Sequence, residues 1–303
     1  MPTILNGNRV RDRILRDLQP RVAALAAVWR PPGLAVVLVG DDPGSQIYVR
    51  NKVKACAELG IAGETITPPA TIGTAELLAI VDELNQRPDI DGILVQLPLP
   101  PQVDTRRVLL AVAPEKDVDG FHPMNVGNLV AGRPGPRPCT PAGIMELLRQ
   151  YEIPVAGKRA VVVGRSDIVG KPMALLLLHA HATVTICHSR TVDLPAVCRE
   201  GEILVAAMGR PAMLTADYIR PGAVVIDVGM NRITDHNEAA RVFRNSPERL
   251  ATLERKGSVL VGDVDPLAMQ ENASAYTPVP GGVGPLTIAM LMSNTVSAAE
   301  AHT

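Results

Sequence analysis

One segment near the middle of the chain combines an apolar strand, two glycines and a helix start. The β-branched run at residues 161–163 ends at Gly164, a second glycine follows at Gly170, and apolar residues with helical spacing come after Pro172. The first N–H groups of a helix lack partners within it, and the helix dipole adds positive charge there. This order of strand, glycine turn and helix predicts an anion site suited to the pyrophosphate of a nucleotide cofactor.

Two known nucleotide motifs are close to this segment, and neither matches it fully. A Walker A loop has four residues between its glycines, followed by Lys and then Ser or Thr. Here five residues separate Gly164 from Gly170, and Lys171 is followed by Pro172, so no hydroxyl is placed to hold magnesium. The G-x-G-x-x-G dinucleotide motif is imperfect because Ser166 stands at its middle glycine. The segment could also be an ordinary strand-to-helix turn of a doubly wound sheet.

The composition favours aliphatic cores, and it gives no reason to expect general binding to nucleic acid or membranes. The 303 residues, enough for two domains, are 47% hydrophobic and only 2% aromatic. The net charge of −1 gives no basic field for nucleic acid, and no apolar run is long enough to cross a bilayer. Four scattered cysteines without a C-x-x-C pair favour free thiols and a cytoplasmic location. His179 and His181 have no evident third ligand, so we expect no metal.

Apolar runs of strand length alternate with helical patterns, which predicts an α/β architecture with parallel sheets. Strands are predicted at residues 34–39, 92–96, 160–163, 183–187, 203–206, 223–227 and 259–261. Helices are predicted at residues 10–29, 45–59, 75–85, 142–151, 172–179 and 285–299. Stretches rich in Gly and Pro at 132–141 and 277–285 indicate boundaries. We therefore expect a Rossmann-like dinucleotide domain at 142–276, a second α/β domain from 1–141 and 277–303, and ligands in the cleft that these domains flank.

The end of the second strand in the middle domain favours NADP over NAD. NAD-binding folds usually have an acidic residue there, which holds the ribose hydroxyls. This chain instead has Cys187, His188, Ser189 and Arg190. Ser189 can donate to a phosphate, and Arg165 and Arg190 can pair with one, although either arginine could be an ordinary surface charge.

A polar helix face in the first part of the chain is a candidate substrate site. Ser45, Tyr48 and Lys52 are spaced i, i+3 and i+7, so they share one face of a helix that begins after strand 34–39. A phenol hydroxyl one turn from an ammonium can help to set its pKa, and a lysine with a lowered pKa can move protons at neutral pH. By itself, however, a lysine on a helix is usually a solvated charge.

Two more polar residues lie where predicted strands or loops end. Gln96 ends strand 92–96, and its side-chain carbonyl could accept a hydrogen bond from a lysine, although it could also simply cap the strand. Asp119 stands next to Gly120 and could accept two N–H bonds from the edge of an amidine-like heterocycle. A plain Asp-Gly turn is the alternative interpretation of that pair.

In their order and spacing, these segments resemble the bifunctional methylenetetrahydrofolate dehydrogenase/methenyltetrahydrofolate cyclohydrolase family. The matching motifs are YVRNK at 48–52, VQLPLP at 95–100, PEKDVDG at 114–120, PCTPAG at 138–143, the glycine turn at 164–172, VIDVG at 225–229, GDV at 262–264 and TPVPGGVGP at 277–285. The resemblance implies that NADP takes a hydride from the one-carbon bridge of methylenetetrahydrofolate. It also implies that water then opens the methenyl product to formyltetrahydrofolate, and that the protein is a homodimer.

The resemblance further implies roles for individual residues. Lys52 is the expected catalytic residue, tuned by Tyr48 and Gln96, and Asp119 is expected to hold the pterin edge. The expected folate-binding residues are Tyr48, Lys52, Val95, Gln96, Leu97, Asp119, Pro280, Gly281, Gly282, Val283 and Gly284. The expected NADP-binding residues are Gly164, Arg165, Ser166, Ser189 and Met230. Met230 stands where the family usually has isoleucine, a change of little consequence because both side chains are apolar and similar in volume.

Residues 233–258 depart from the family pattern, which usually has a short link there. The second half of this polar insertion predicts a surface helix that begins at Ser246 and Pro247, and the insertion could cover the cofactor or change assembly. Two other functions stay open. One is a monofunctional NADP dehydrogenase similar to shikimate-type enzymes, and the other is a nucleotide-sensing protein without turnover. The polar set on the first domain argues against both.

Overall fold

The computed structural model describes residues 1–302. In chain order its helices and strands are β1 (Thr3–Ile4), α1 (Gly7–Val28), β2 (Gly33–Val37), α2 (Pro43–Leu59), β3 (Ala62–Ile66), α3 (Thr74–Gln86), β4 (Gly92–Val95), α4 (Thr105–Ala111), α5 (Pro123–Val130), α6 (Cys139–Gln150), β5 (Arg159–Val163), α7 (Gly170–His179), β6 (Thr183–Cys187), α8 (Leu194–Arg199), β7 (Ile203–Ala206), β8 (Val224–Asp227), β9 (Asn231–Ile233), α9 (His236–Val242), α10 (Pro247–Lys256), β10 (Val259–Val261), α11 (Pro266–Asn272), β11 (Ala275–Tyr276) and α12 (Gly284–Glu300). The predicted α/β class is confirmed.

The chain forms two compact units. Unit 1 comprises Met1–Val10 and Thr140–Leu286, and unit 2 comprises Arg11–Cys139 and the chain from Thr287 onward. The predicted boundaries put residues 1–10 and 277–286 in the other domain. They lie in unit 1 because β1 pairs with β11, and because the Gly7 N–H donates to the Gly281 carbonyl at 2.8 Å.

Unit 1 is built on a six-stranded parallel sheet in the order β1-β11-β8-β7-β5-β6. The inner strands β5, β7 and β8 have almost uninterrupted apolar sequences and are mostly buried. That pattern is typical of parallel strands covered on both faces. Strand β6 lies at one edge, and it has exposed residues. Because all strands are parallel, their carboxyl ends lie at one edge of the sheet.

Unit 2 is built on a three-stranded parallel sheet in the order β3-β2-β4. Apolar residues of α3 and α4 pack on β2 and β4 to form its core. Helix α12 is tied to this unit by Asn294, whose Nδ2 donates to the carbonyls of Val118 at 2.8 Å and Arg137 at 2.9 Å. The ion pair between Arg21 and Glu300 adds a second tie at the surface.

The insertion has a small core of its own within unit 1. Strands β9 and β10 pair antiparallel, and α9 and α10 lie between them in sequence. Apolar residues from all four elements pack together with Ala212. The predicted surface helix is confirmed as α10, which begins after Ser246. Residues 259–261 form the predicted strand, but it pairs with β9 and does not join the parallel sheet.

The predicted elements all occur, with ends that differ by a few residues. The elements that sequence analysis missed are short, at most eight residues, because such segments carry too few residues to show a period. The missed strand β3, with the sequence AGETI, has no apolar run because it is an edge strand with exposed side chains. Within residues 1–302, no helix is both long and apolar enough to cross a membrane.

Candidate active site

The lysine of the predicted polar helix face is buried and paired. Lys52 lies in the third turn of α2 and is 9% exposed. Its Nζ donates to Oε1 of Gln96 at 2.9 Å, and Nε2 of Gln96 donates to the Leu97 carbonyl at 2.7 Å. The Gln96 N–H donates to the carbonyl of Val37 on neighbouring β2 at 2.9 Å. Gln96 is therefore fixed on both sides, with its amide oxygen toward the lysine, and the solvated-lysine interpretation is wrong.

The other predicted members of this face lie on the same helix. Asp42 caps α2 by accepting from the Ser45 N–H at 2.7 Å, and Ser45 is buried. Tyr48, one turn before Lys52, is 47% exposed. Val95 is the buried last residue of β4. The carboxyl ends of two adjacent strands, β2 and β4, thus position the polar helix face and the glutamine.

A rigid turn beside β4 presents Asp119. The backbone of Asp117 bridges to Ile93 of β4, and the Asp117 carboxylate accepts from the His122 N–H at 2.7 Å and from Asn125 Nδ2 at 2.9 Å. Gly120 has a φ of +74°, and a Cβ there would come within 2.6 Å of the Arg137 backbone. Only glycine satisfies both conditions, so the Asp-Gly pair is a required turn as well as a candidate binding group.

Asp119 is half-buried and titrates in an unusual range. Burial raises its pKa to about 6; the attraction of Lys52 opposes the rise, and the repulsion of Asp117 adds to it. A carboxylate that is poorly hydrated accepts N–H bonds from a ligand more strongly, because it has less water to lose. The arrangement of Lys52, Gln96 and Asp119 therefore suits a polar heterocycle with an N–H edge and a group that exchanges protons.

The glycine turn of unit 1 depends on close backbone approach. Gly164 has a φ of +135°, and a Cβ there would overlap the carbonyl oxygen of Ala207 at the end of β7. A Cβ on Gly170 would overlap the Gly164 carbonyl oxygen. Both glycines are required for the strand and the helix to meet, as in dinucleotide-binding turns.

The N–H groups at the start of α7 are not unpaired, and that expectation is wrong. The Ser166 hydroxyl oxygen accepts from the N–H groups of Val169 and Gly170, each at 3.2 Å. The Ser166 carbonyl accepts from the Lys171 N–H at 3.1 Å. Two accepted bonds occupy the oxygen lone pairs of the hydroxyl and leave its proton to donate. Ser166, in place of a bare helix end, is therefore the candidate phosphate donor.

The other predicted cofactor residues follow neighbouring strands. The Gly164 N–H donates to the carbonyl of Cys187 at 2.9 Å, which joins the ends of β5 and β6. Arg165 follows the first of these strands, and Ser189 and Arg190 follow the second; all three are exposed. No acidic residue stands between Cys187 and Arg190. The strand end thus has the position and the chemistry expected for an additional ribose phosphate.

Met230 and the segment at 277–285 meet within unit 1. A shallow depression is lined by Asp227, Val228, Gly229, Met230 and the residues from Pro278 to Gly284. A Cβ on Gly284 would come within 2.8 Å of Cε of Met230. The predicted cofactor residue Met230 and the predicted folate residues Pro280, Gly281, Gly282, Val283 and Gly284 therefore share one surface.

Sequence analysis missed two buried carboxylates that organise this part of unit 1. Asp227 ends β8, and its carboxylate accepts from the N–H groups of Gly229 at 3.0 Å, Asp263 at 2.8 Å and Val264 at 3.0 Å. Its backbone N–H donates to Oγ1 of Thr277 at 2.7 Å. The signal in the sequence that could have revealed these carboxylates is the glycines close to them in the chain. A Cβ on Gly262, for example, would overlap the Asp227 carboxylate.

Asp263 extends this network to the turn after β7. Its carboxylate accepts from the N–H groups of Met208 at 2.6 Å, Gly209 at 3.0 Å and Arg210 at 2.8 Å, and from Nδ2 of Asn231 at 2.9 Å. That turn follows Ala207, against which Gly164 packs. In the described part of the chain, no group of three or more His, Cys, Asp or Glu side chains is placed to hold a metal ion.

Comparison with known proteins matches two regions of the chain to one family. Residues 5–119 match the model of the tetrahydrofolate dehydrogenase/cyclohydrolase catalytic domain, and residues 138–303 match that of the NAD(P)-binding domain of the same family. The bifunctional protein FolD of Solibacter usitatus is 69% identical over 300 residues, which cover 99% of this chain and 98% of that protein.

Two solved structures are similar over almost the whole chain. The bifunctional FolD methylenetetrahydrofolate dehydrogenase/cyclohydrolase of Campylobacter jejuni is 41% identical, with a TM-score of 0.91 and full coverage of both chains. The Trypanosoma brucei methylenetetrahydrofolate dehydrogenase-cyclohydrolase, solved with NADP and an inhibitor, is 38% identical. Its TM-score is 0.88, and the match covers 99% of this chain and 98% of that one.

Replacing Gly164 by alanine tests whether the close approach to β7 forms the nucleotide site. Gly157→Ala is the matched control, because Gly157 also has a positive φ, of +75°, but a Cβ there meets nothing within 4 Å. We expect Gly164→Ala to weaken NADPH binding at least tenfold, measured by fluorescence titration, and to lower the free energy of unfolding by about 3 kcal/mol. The control should cost about 1 kcal/mol and leave binding unchanged. Equal effects of the two substitutions would contradict the assignment.

Proposed function

We propose, since the chain belongs to the tetrahydrofolate dehydrogenase/cyclohydrolase family, that it oxidises 5,10-methylenetetrahydrofolate with NADP and hydrolyses the 5,10-methenyl product to 10-formyltetrahydrofolate. The observation that carries the proposal is the buried Lys52, fixed by Gln96 in the region that matches the catalytic domain. A nucleotide-binding protein without turnover has no need to bury a lysine against a glutamine near a titratable carboxyl group.

For the cofactor we propose Gly164, Arg165, Ser166, Ser189 and Met230. The bound cofactor supplies the hydride acceptor. The Gly164 backbone gives the cofactor close access to the turn, and the Ser166 hydroxyl proton is available to a phosphate. The Ser189 hydroxyl and the guanidinium of Arg165 suit an additional ribose phosphate, whereas an acidic residue there would repel it.

For the folate we propose the residues of unit 2 at the lysine, together with the segment from Pro280 to Gly284. These unit 2 residues are Tyr48, Lys52, Val95, Gln96, Leu97 and Asp119. The Asp119 carboxylate would accept the N–H groups of the pterin edge, and the Tyr48 ring, nearly half exposed, would pack on the substrate.

Lys52 is the proposed proton carrier. Hydride removal leaves a positive charge on the one-carbon bridge, and a fixed ammonium beside it would raise the barrier. A lysine that releases a proton has a lone pair that can accept one from the attacking water. Gln96 accepts one Nζ–H bond and thereby holds the nitrogen in place in either protonation state. Gln96 is thus a positioning residue for the lysine.

Measuring both reactions in the wild type and in Lys52→Met tests this function. The wild type should reduce NADP faster than NAD when methylenetetrahydrofolate is present, and should hydrolyse methenyltetrahydrofolate. Lys52→Met should lose hydrolysis by a factor of about 100 or more while its NADP affinity stays unchanged. Lys54→Met is the control, because Lys54 lies on the same helix and is exposed.

Normal hydrolysis in Lys52→Met would remove that residue from the mechanism. Turnover of neither substrate by the wild type would favour the nucleotide-sensing protein.

The protonation of Asp119 should appear in the pH dependence of substrate capture. Because burial raises the pKa of Asp119 to about 6, kcat/KM for the folate should fall as the pH decreases below that value. The protonated carboxyl group accepts N–H bonds poorly. Asp119→Asn should lower kcat/KM by about tenfold to hundredfold at pH 8 and remove the transition near pH 6. Glu115→Gln, an exposed acid in the same loop, is the control. A transition that persists in Asp119→Asn would assign it to another group.

A homodimer in the cytoplasm is also part of the proposal. Edge strand β6 of unit 1 exposes its backbone, and the apolar side chains of Ile186 and Leu178 near it are exposed as well. Such an edge is a natural surface for a second copy.

The four cysteines are buried and free, which suits a reducing compartment. Light scattering should give twice the chain mass, and cell fractionation should place the protein with a cytoplasmic marker. A monomer, or recovery in another fraction, would contradict the corresponding part.

A further inference from the structure

A side chain of the insertion donates a hydrogen bond to the segment at 277–285. Arg249 of α10 is half-buried, and its Nη2 donates to the Val279 carbonyl at 3.1 Å and also to the Leu260 carbonyl of β10. Its guanidinium carbon lies 4.8 Å from the centre of the Phe243 ring, which belongs to the core of the insertion. The guanidinium is thus held on one side by the insertion and donates on the other side to the segment.

The segment is rich in residues that contribute little to holding its own shape. It follows β11, contains three prolines and three glycines, and its last two residues begin α12. Prolines have no N–H to donate, and glycines have no side chain to pack. One end is held by Thr277, whose Oγ1 bonds to the backbone of Asp227. Farther along, the Gly281 carbonyl accepts from the Gly7 N–H at 2.8 Å.

Arg249 acts between these two attachments. The Val279 carbonyl precedes Pro280, the first of the proposed folate residues, and a guanidinium is a strong donor that keeps its charge at any pH of interest. A hydrogen bond that involves a charged group contributes more than one between neutral groups. Without it, the stretch from Pro278 to Pro280 has no side-chain donor from the insertion.

We propose that Arg249 is a positioning residue for the folate-binding segment, and that the insertion thereby supports the substrate site. This inference rests on the proposed function of the segment. Its consequence is specific: loss of Arg249 should weaken capture of the folate in both reactions, because both use the same segment. It should change NADP binding less, because Gly164, Arg165, Ser166 and Ser189 lie on other strands and Met230 alone of the proposed cofactor residues shares a surface with the segment.

The experiment compares Arg249→Met with Arg255→Met and Arg249→Lys. Arg255 lies on the same helix and is exposed, so the same chemical change there should not alter the contacts of the segment. Arg249→Met should raise the KM for the folate about tenfold in both reactions, with kcat changed less than about threefold. Arg249→Lys keeps a cationic donor and should recover part of the KM. Arg255→Met should match the wild type.

Hydrogen exchange gives a readout that does not need turnover. In Arg249→Met the amides of Gly7 and Leu286, which donate to the Gly281 and Val283 carbonyls, should exchange at least tenfold faster than in the wild type, while those of β5 and β7 stay protected. A wild type without either activity would refute the proposed function, and this exchange pattern would still decide the role of Arg249.

Two results would overturn the inference. One is an Arg249→Met protein with the KM and the exchange rates of Arg255→Met. The other is a general loss, in which Arg249→Met and Arg249→Lys alike lose NADP binding and exchange faster throughout unit 1, since Arg249 would then serve only the stability of the insertion.

Discussion

The buried carboxylate of Asp227 holds together the parts of unit 1 that the proposed function uses. It ends β8, the strand from which the chain continues to Met230, and it accepts three N–H groups from the loops at 229 and 263–264. Its backbone is bonded to Thr277, where the folate-binding segment begins. A carboxylate without these donors would be very costly to bury, so the donors and the loops that carry them are constrained together.

Asp263 extends that constraint to the cofactor turn. Its four donors come from the turn after β7 and from Asn231, and this turn is the wall against which Gly164 packs. The loops after β7, β8 and β10, together with Thr277 after β11, thus belong to one polar network. Such a network is rigid only when every polar group in it has a hydrogen-bond partner. Glycines therefore stand at the points where a side chain would displace one of the carboxylates.

Sequence predicted those parts of the site that carry a local pattern. The strand, Gly164 and the following helix are adjacent in the chain, and Ser45, Tyr48 and Lys52 repeat with the helical period. The α/β class and the parallel sheets follow from the alternation of apolar runs with helices. These features depend on residues that are neighbours in sequence or that share one helix face, and the structure retains them.

The parts that sequence did not predict depend on contacts between distant residues. Asp263 lies 53 to 55 positions from the N–H groups that it binds after β7, and Arg249 lies 30 positions from Val279. No period or spacing relates such pairs, so Asp227, Asp263 and Arg249 looked like a strand end, a loop and a surface helix. Sequence analysis grouped residues 1–10 and 277–286 with the first domain, whereas they lie in unit 1, because the pairing of β1 with β11 joins opposite ends of the chain.

Ser166 shows why a departure from a motif need not weaken the inference drawn from it. A glycine at that position would free the N–H groups of Val169 and Gly170 for a phosphate, as the motif predicts. The serine instead accepts both of those N–H groups and keeps its own hydroxyl proton to donate, so the positive end of the helix can act through a hydroxyl. The requirement for glycine persists only at Gly164 and Gly170, where the backbone itself must approach its neighbours.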